Sequence, residues 1–153
     1  MAGDLTLDAN LRFKGPVYTE QFLLDSTAAR TIYRGQPMMI DADVDTGHVV
    51  QFVDAVTVAN GDVCVGIACE GHSVVIASAE TQVINVYTWP TIVGFKMAAV
   101  NTFTNEDLGK KMYMTGSGTL SLTASPNPFM GYVYSVEDGY CYVKLTTPQI
   151  CAG

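Results

Sequence analysis

The chain has 153 residues, which suits one domain with enough core to hold without staples. Apolar residues make up 48% of it and charged residues only 15%, against roughly a quarter charged in an ordinary soluble domain. The net charge is −7, and the three arginines and five lysines are scattered along the sequence. This argues against nucleic acid, whose binding draws on clustered cations, and against anionic membranes.

The opening stretch MAGDLTLDANLRFK has an early Asp4 and no continuous apolar run, so no secretory leader is expected. No segment approaches the roughly 18 apolar residues of a membrane span. Leu5, Leu7, Ala9, Leu11 and Phe13 fall on odd positions, with polar residues between them. That strict period of two reads as a one-sided β-strand, ended by Gly15-Pro16. Two readings stay open: an edge strand of the protein's own sheet, or an arm that lays its apolar face on another subunit. The next stretch, 17–34, is mixed, and TEQFLLDSTAAR reads equally as a short helix or an irregular segment.

From Gly35 onward strand follows strand. QPMMI, HVVQFVDA, VCVGIAC, SVVIASA and TQVINVYTW come in turn, and Pro90 belongs at an edge or bulge. TIVGFKMA follows. TNEDLG reads as one capped helical turn, with Thr104 or Asn105 as cap and Gly109 as stop. KKMYM, a TGSG turn, TLSLT, a Pro-Asn-Pro loop, FMGYVYSV, an Asp-Gly turn and YCYVKLT complete the chain. Turn residues at roughly ten-residue intervals indicate an all-β barrel or sandwich.

One phrase occurs twice. GQPMMI at 35–40 matches GKKMYM at 109–114 without a gap. A glycine-led strand follows each, GHVVQF and GTLSLT, and then a strand built around a small residue, CVGIACEG and FMGYVYSVEDG. This reads as an internal repeat of a hairpin-plus-strand unit. The repeat bears on Asp41, Asp43 and Asp45 in DADVDTG, which resemble a calcium loop. The second unit makes the same turn, TGSG, with no acid. The EF-hand positions that need Gly and Glu hold Thr46 and Phe52. A solvated turn is the better reading.

Other candidates carry little chemistry. His48 and His72 lie in no nucleophile motif. Cys64, Cys69, Cys141 and Cys151 include no CxxC pair, so they read as small core residues, with Cys151 as a possible exposed thiol. Cys64 and Cys69 point to opposite faces of a continuous strand, which disfavours a metal set with His72. GSG at 116–118 precedes a strand, whereas phosphate loops precede a helix. Tyr87 and Trp89 form a possible contact patch, with a core edge as the plainer alternative.

RGQPMMID, VGIACEG, TNEDLGKKMYMTGSGTLSLT and FMGYVYSVEDGYCYVKL resemble the repeated phrases of small all-β capsid decoration proteins of tailed bacteriophages, also called cement or head-stabilising proteins. The resemblance covers roughly 33–147, and the family's C-terminal phrase corresponds to Glu106 through Leu145. It implies a compact β-barrel or β-tulip domain at 33–153, preceded by an N-terminal arm and connecting segment at 1–32. It implies a homotrimer on the outer surface of a virion, bound to the major capsid protein. Leu5, Leu7, Leu11, Phe13, Tyr18 and Phe22 would be the arm's contacts. No catalytic residue, cofactor, metal, small-molecule substrate, nucleic acid or membrane partner is implied. The segment 17–34 has no counterpart in that family. The rival expectations are a cellular β-barrel module that binds a ligand or peptide, and a small hydrolase using a histidine.

Overall fold

The computed structural model describes residues 10–24, 30–40, 49–51, 63–74, 82–97, 103–115, 120–123, 128–147 and 149–150. The all-β expectation holds. The strands are β1 (Leu11–Lys14), β2 (Thr19–Leu23), β3 (Arg30–Ile32), β4 (Pro37–Ile40), β5 (Val49–Gln51), β6 (Val63–Ala68) and β7 (His72–Val74). They continue as β8 (Val83–Tyr87), β9 (Ile92–Lys96), β10 (Lys111–Met114), β11 (Leu120–Ser121), β12 (Phe129–Glu137), β13 (Tyr140–Leu145) and β14 (Gln149–Ile150). A front sheet runs β1-β9-β13-β12-β10-β11. A back sheet runs β2-β8-β6-β4-β5, with β14 also paired to β6, and β3 pairs with β7 alone.

The core has two parts. Leu11, Val93, Phe95, Met112, Val133 and Val143 of the front sheet pack with Ile67 and Tyr87 of the back sheet. On the other face of the back sheet, Met38, Val65, Ile84 and Val86 pack with Leu24 and Ile32. Its inner strands β4 and β6 are therefore buried on both faces and read as the continuous apolar runs PMMI and VCVGIA instead of alternating ones.

The repeated phrase is a repeated structure. β4 pairs with β5 on one side and β6 on the other, as β10 pairs with β11 and β12. The register shifts between Met38 and Met39 in the first unit, and at the matching Met112 and Tyr113 in the second. Gly35 and Gly109 both have positive φ, and their N–H groups donate to Ala68 O and Val133 O. Gly66 and Gly131, each two residues before those acceptors, have φ of 154° and 159°. A Cβ on Gly66 would lie 1.9 Å from Tyr87 O, and on Gly131 2.1 Å from Lys144 O. Both positions bring one strand too close to the next for any side chain.

The turn at 105–107 is 3-10 and is capped as its sequence suggests. Thr104 Oγ1 accepts from Glu106 N–H, and Asp107 Oδ2 accepts from Thr104 N–H. The stretch TEQFLL is neither helical nor irregular: Thr19–Leu23 is β2, paired along its length with β8. Its own pattern is weak because four of its five side chains are exposed. DADVDTG and the tip of TGSG lie outside the described residues. The flanking strands β4 and β5 are antiparallel neighbours.

Candidate functional site

The proposed arm residues divide into three groups. Leu11 is buried in the front core, and Phe13 packs its ring 4.8 Å from that of Tyr87. β1 is thus an edge strand of this chain's own sheet, in register with β9 from Leu11↔Phe95 to Lys14↔Ile92. Phe22 packs against the back core, while Tyr18 is 44% exposed. Leu5 and Leu7 lie outside the described residues.

Between β1 and β2 the chain is pinned by one buried hydroxyl. Thr91 Oγ1 accepts from Tyr18 N–H at 2.8 Å and donates to Tyr18 O at 3.1 Å. Thr88 N–H also donates to Tyr18 O. These bonds bring Val17 and Tyr18 to the end of β8, where the cis Trp89-Pro90 bond makes a tight turn closed by Thr91 N–H on Thr88 O. Trp89 is 53% exposed there, whereas Tyr87 is buried. The two do not form one patch. Val17, Tyr18 and Trp89 share one end of the β2–β8 pair, and the exposed Leu23 and Val83 face each other at the opposite end. β2 is one of the two outer strands of the back sheet among the described residues, β5 being the other.

The front sheet's outer face is different in kind. Register places Lys96 beside Tyr140, Arg12 and Tyr142 on either side of Gly94, and Lys14 and Lys144 on either side of Ile92. Lys144 in turn faces Tyr132, and Tyr132 faces Lys111. The Arg12 guanidinium sits 4.0 Å above the Tyr140 ring, and Lys14 Nζ 4.8 Å from that of Tyr142. Gly94 makes room for the Tyr142 ring, which would lie 2.6 Å from a Cβ there. Glu137 pairs with Lys14 and raises its pKa, chiefly through their hydrogen bond. Tyr132 and Tyr134 of β12 are 43% and 51% exposed, and the Tyr132 ring meets that of Phe129 edge-on at 5.4 Å. Cations far apart in sequence are thus gathered on one surface. The signal that could have found them is alternation: Arg12/Lys14, Lys111/Tyr113 and Tyr140/Tyr142/Lys144 each lie on one side of a strand.

The cysteines and histidines show no reactive arrangement among the described residues. Cys64 is disulfide-bonded, which corrects its reading as a plain core residue. Cys69 and Cys141 carry free thiols. Burial pushes Cys69 up to about 12, with Glu70 adding to it, and Cys141 up to about 11, with Asp107 adding to it. Both stay protonated at neutral pH, a poor state for a nucleophile or metal ligand. His72 lies in β7 opposite Ile32. His48 and Cys151 lie outside the described residues. No group of three metal-ligating side chains occurs among the described residues. No described helix is long and apolar enough to cross a membrane. Compared with known protein families, curated proteins and solved structures, the chain matches none.

Proposed function

We propose that this chain is a non-enzymatic structural protein of a virus particle, which binds the outside of an expanded phage head and stabilises it. The observation that carries the reading is the edge of the back sheet. β2 is an outer strand whose ends display Tyr18 with Trp89 and Leu23 with Val83. An outer strand offers unpaired main-chain groups, and exposed apolar side chains beside it add burial when another chain joins. The phrases that carry the resemblance to decoration proteins build the repeated unit, so they serve as a frame that displays surfaces. A disulfide at Cys64 suits a particle that ends up outside the reducing cytoplasm.

Stabilisation of a shell needs no chemistry. A protein that binds the expanded state and not its precursor shifts the balance by mass action, and many identical contacts repeat the effect over the head. The test is co-sedimentation of the purified chain with expanded, undecorated heads. Saturable binding supports the reading. Replacing Tyr18 and Trp89 by Ser should weaken it, because both side chains would be buried on docking. A chain that stays in the supernatant at high concentration contradicts it.

A further inference from the structure

We propose that the outer face of the front sheet holds a binding site for an acidic polysaccharide, centred on Tyr132 with Lys111 and Lys144 on either side of it. The three residues stand in one row across the sheet. Register sets Lys144 of β13 opposite Tyr132 of β12, and Tyr132 opposite Lys111 of β10. Their neighbours Val143, Val133 and Met112 are in the core, so all three side chains point outward. Lys111 and Lys144 are exposed, and Tyr132 is 43% exposed. The platform is built in advance. The nearly buried Phe129 ring meets Tyr132 edge-on at 5.4 Å and Tyr113 at 5.7 Å, and Lys111 Nζ lies 5.6 Å from its centroid. Phe129 therefore supports both the ring and one of the two cations before any ligand arrives. Neither lysine has a carboxylate partner among the described residues. Of the four acids that border the sheet, Glu137 pairs with Lys14 and Asp107 with Lys110. Asp138 sits in the turn before Tyr140, at the far end of β13 from Lys144, and Glu106 sits in the 3-10 turn. The row itself is basic.

The spacing selects the ligand. Neighbouring strands lie about 4.8 Å apart, so the two lysines stand about 10 Å apart with an aromatic ring between them. One pyranose ring advances a linear polysaccharide by about the width of one strand. A chain that carries a carboxylate on alternate sugars therefore sets one on each lysine and lays the neutral sugar between them on Tyr132. The C–H face of that sugar is apolar and covers the ring, while its hydroxyls meet the Tyr132 hydroxyl and water. Other polyanions fit worse. One strand of nucleic acid brings a phosphate about every 3.4 Å, about three for each interval between the lysines, to a protein whose net charge is −7. An extended acidic peptide presents same-side carboxylates about 7 Å apart and offers Tyr132 no flat apolar face. The site is on the front sheet, whereas β2 belongs to the back sheet, so it is separate from the edge proposed for attachment. Where many copies share one particle, weak single contacts add.

The test is a titration of the isotope-labelled full chain, followed by amide NMR, with oligosaccharides of hyaluronan and of unsulfated chondroitin, which both carry a carboxylate on alternate sugars. Exposed charge contacts are weak singly, so a Kd of about 1 mM is expected for one chain. Shifts should centre on Lys111, Tyr132 and Lys144 and leave β2 unmoved, and about 500 mM salt should suppress them. Lys111→Gln with Lys144→Gln should weaken binding about tenfold or more, and Tyr132→Ser should weaken it comparably. Lys110→Gln should not, since that charge is held by Asp107 at the 3-10 turn. All these side chains are exposed, and an unchanged melting temperature shows the variants to be folded. Four results would each overturn the inference: no shifts with either glycan at about 10 mM, the same shifts from neutral dextran, tighter binding of a glutamate peptide or an oligonucleotide, or glycan binding that survives both the double substitution and Tyr132→Ser. None of these depends on whether the chain binds a viral head.

Discussion

Gly131→Ala should cost this protein much of its stability, and the cost can be built from the structure. The new Cβ would lie 2.1 Å from Lys144 O, a main-chain atom of the neighbouring strand, and real Cβ atoms essentially never come within 3.0 Å of such an atom. β12 and β13 must therefore part locally by about 0.9 Å. Holding an L-residue at a φ of 159° adds roughly 1–3 kcal/mol. Parting the strands weakens one or two ladder hydrogen bonds, each contributing about 1 kcal/mol. The sum is about 2–5 kcal/mol, a large share of a typical domain's total, and roughly a 10 °C fall in melting temperature at this size. Gly139→Ala is the control. Its φ is also positive, at 77°, but nothing lies within 4 Å of the added Cβ, so it should cost only about 1–2 kcal/mol. Gly66→Ala should match Gly131→Ala, because it sits at the equivalent place in the other unit. Urea unfolding of the three variants measures all of this. A Gly131→Ala cost equal to that of Gly139→Ala would refute the close approach, and a benign Gly66→Ala would refute the equivalence of the two units.

Further outcomes are expected. Leu11→Ala should destabilise the chain by about 2–4 kcal/mol, as for any buried leucine, and deletion of 1–14 should do at least as much harm; an unaffected denaturation midpoint would mean that β1 is not part of the core. Thr104→Ala should cost about 1 kcal/mol through the lost cap. Asp107, whose pKa is lowered chiefly by Lys110 and then by Thr104 N–H, contributes stability above its ordinary value of 3.8 that is lost as pH falls through its lower folded value; in Asp107→Asn, acid titration followed by circular dichroism should show that component missing. Cys69 and Cys141 should resist thiol reagents at pH 8 until the protein unfolds. Because both folded values are raised, stability is full below about 9 and falls as pH climbs from there toward 11 and 12; rapid labelling of the native protein would contradict their burial.

The local features were legible because they depend on neighbours in sequence. Glycine punctuation marked the strand ends, and TNEDLG, with Thr104 or Asn105 as cap and Gly109 as stop, marked the capped turn. The match of GQPMMI to GKKMYM found the duplicated unit, including glycines whose shared role is contact with the next strand. What was not legible depends on partners far away. β2 shows no useful alternation, and only its pairing with β8 makes it a strand. Leu11 and Phe13 look the same in sequence whether they cover this chain's core or a neighbour's. The five cations of the front face come from β1, β9, β10 and β13, and no spacing rule links those strands before the sheet order is known. Tyr87 and Trp89 share parity, but the turn at Pro90 leaves one inside and one outside.

The function proposed for this chain is attachment to a viral shell. Its most direct test is cryo-electron imaging of expanded, undecorated heads mixed with the purified full chain. New symmetric density is expected on the outer surface, with the β2 edge and Trp89 turned toward a neighbouring chain. Bare shells beside free protein at high concentration would contradict it.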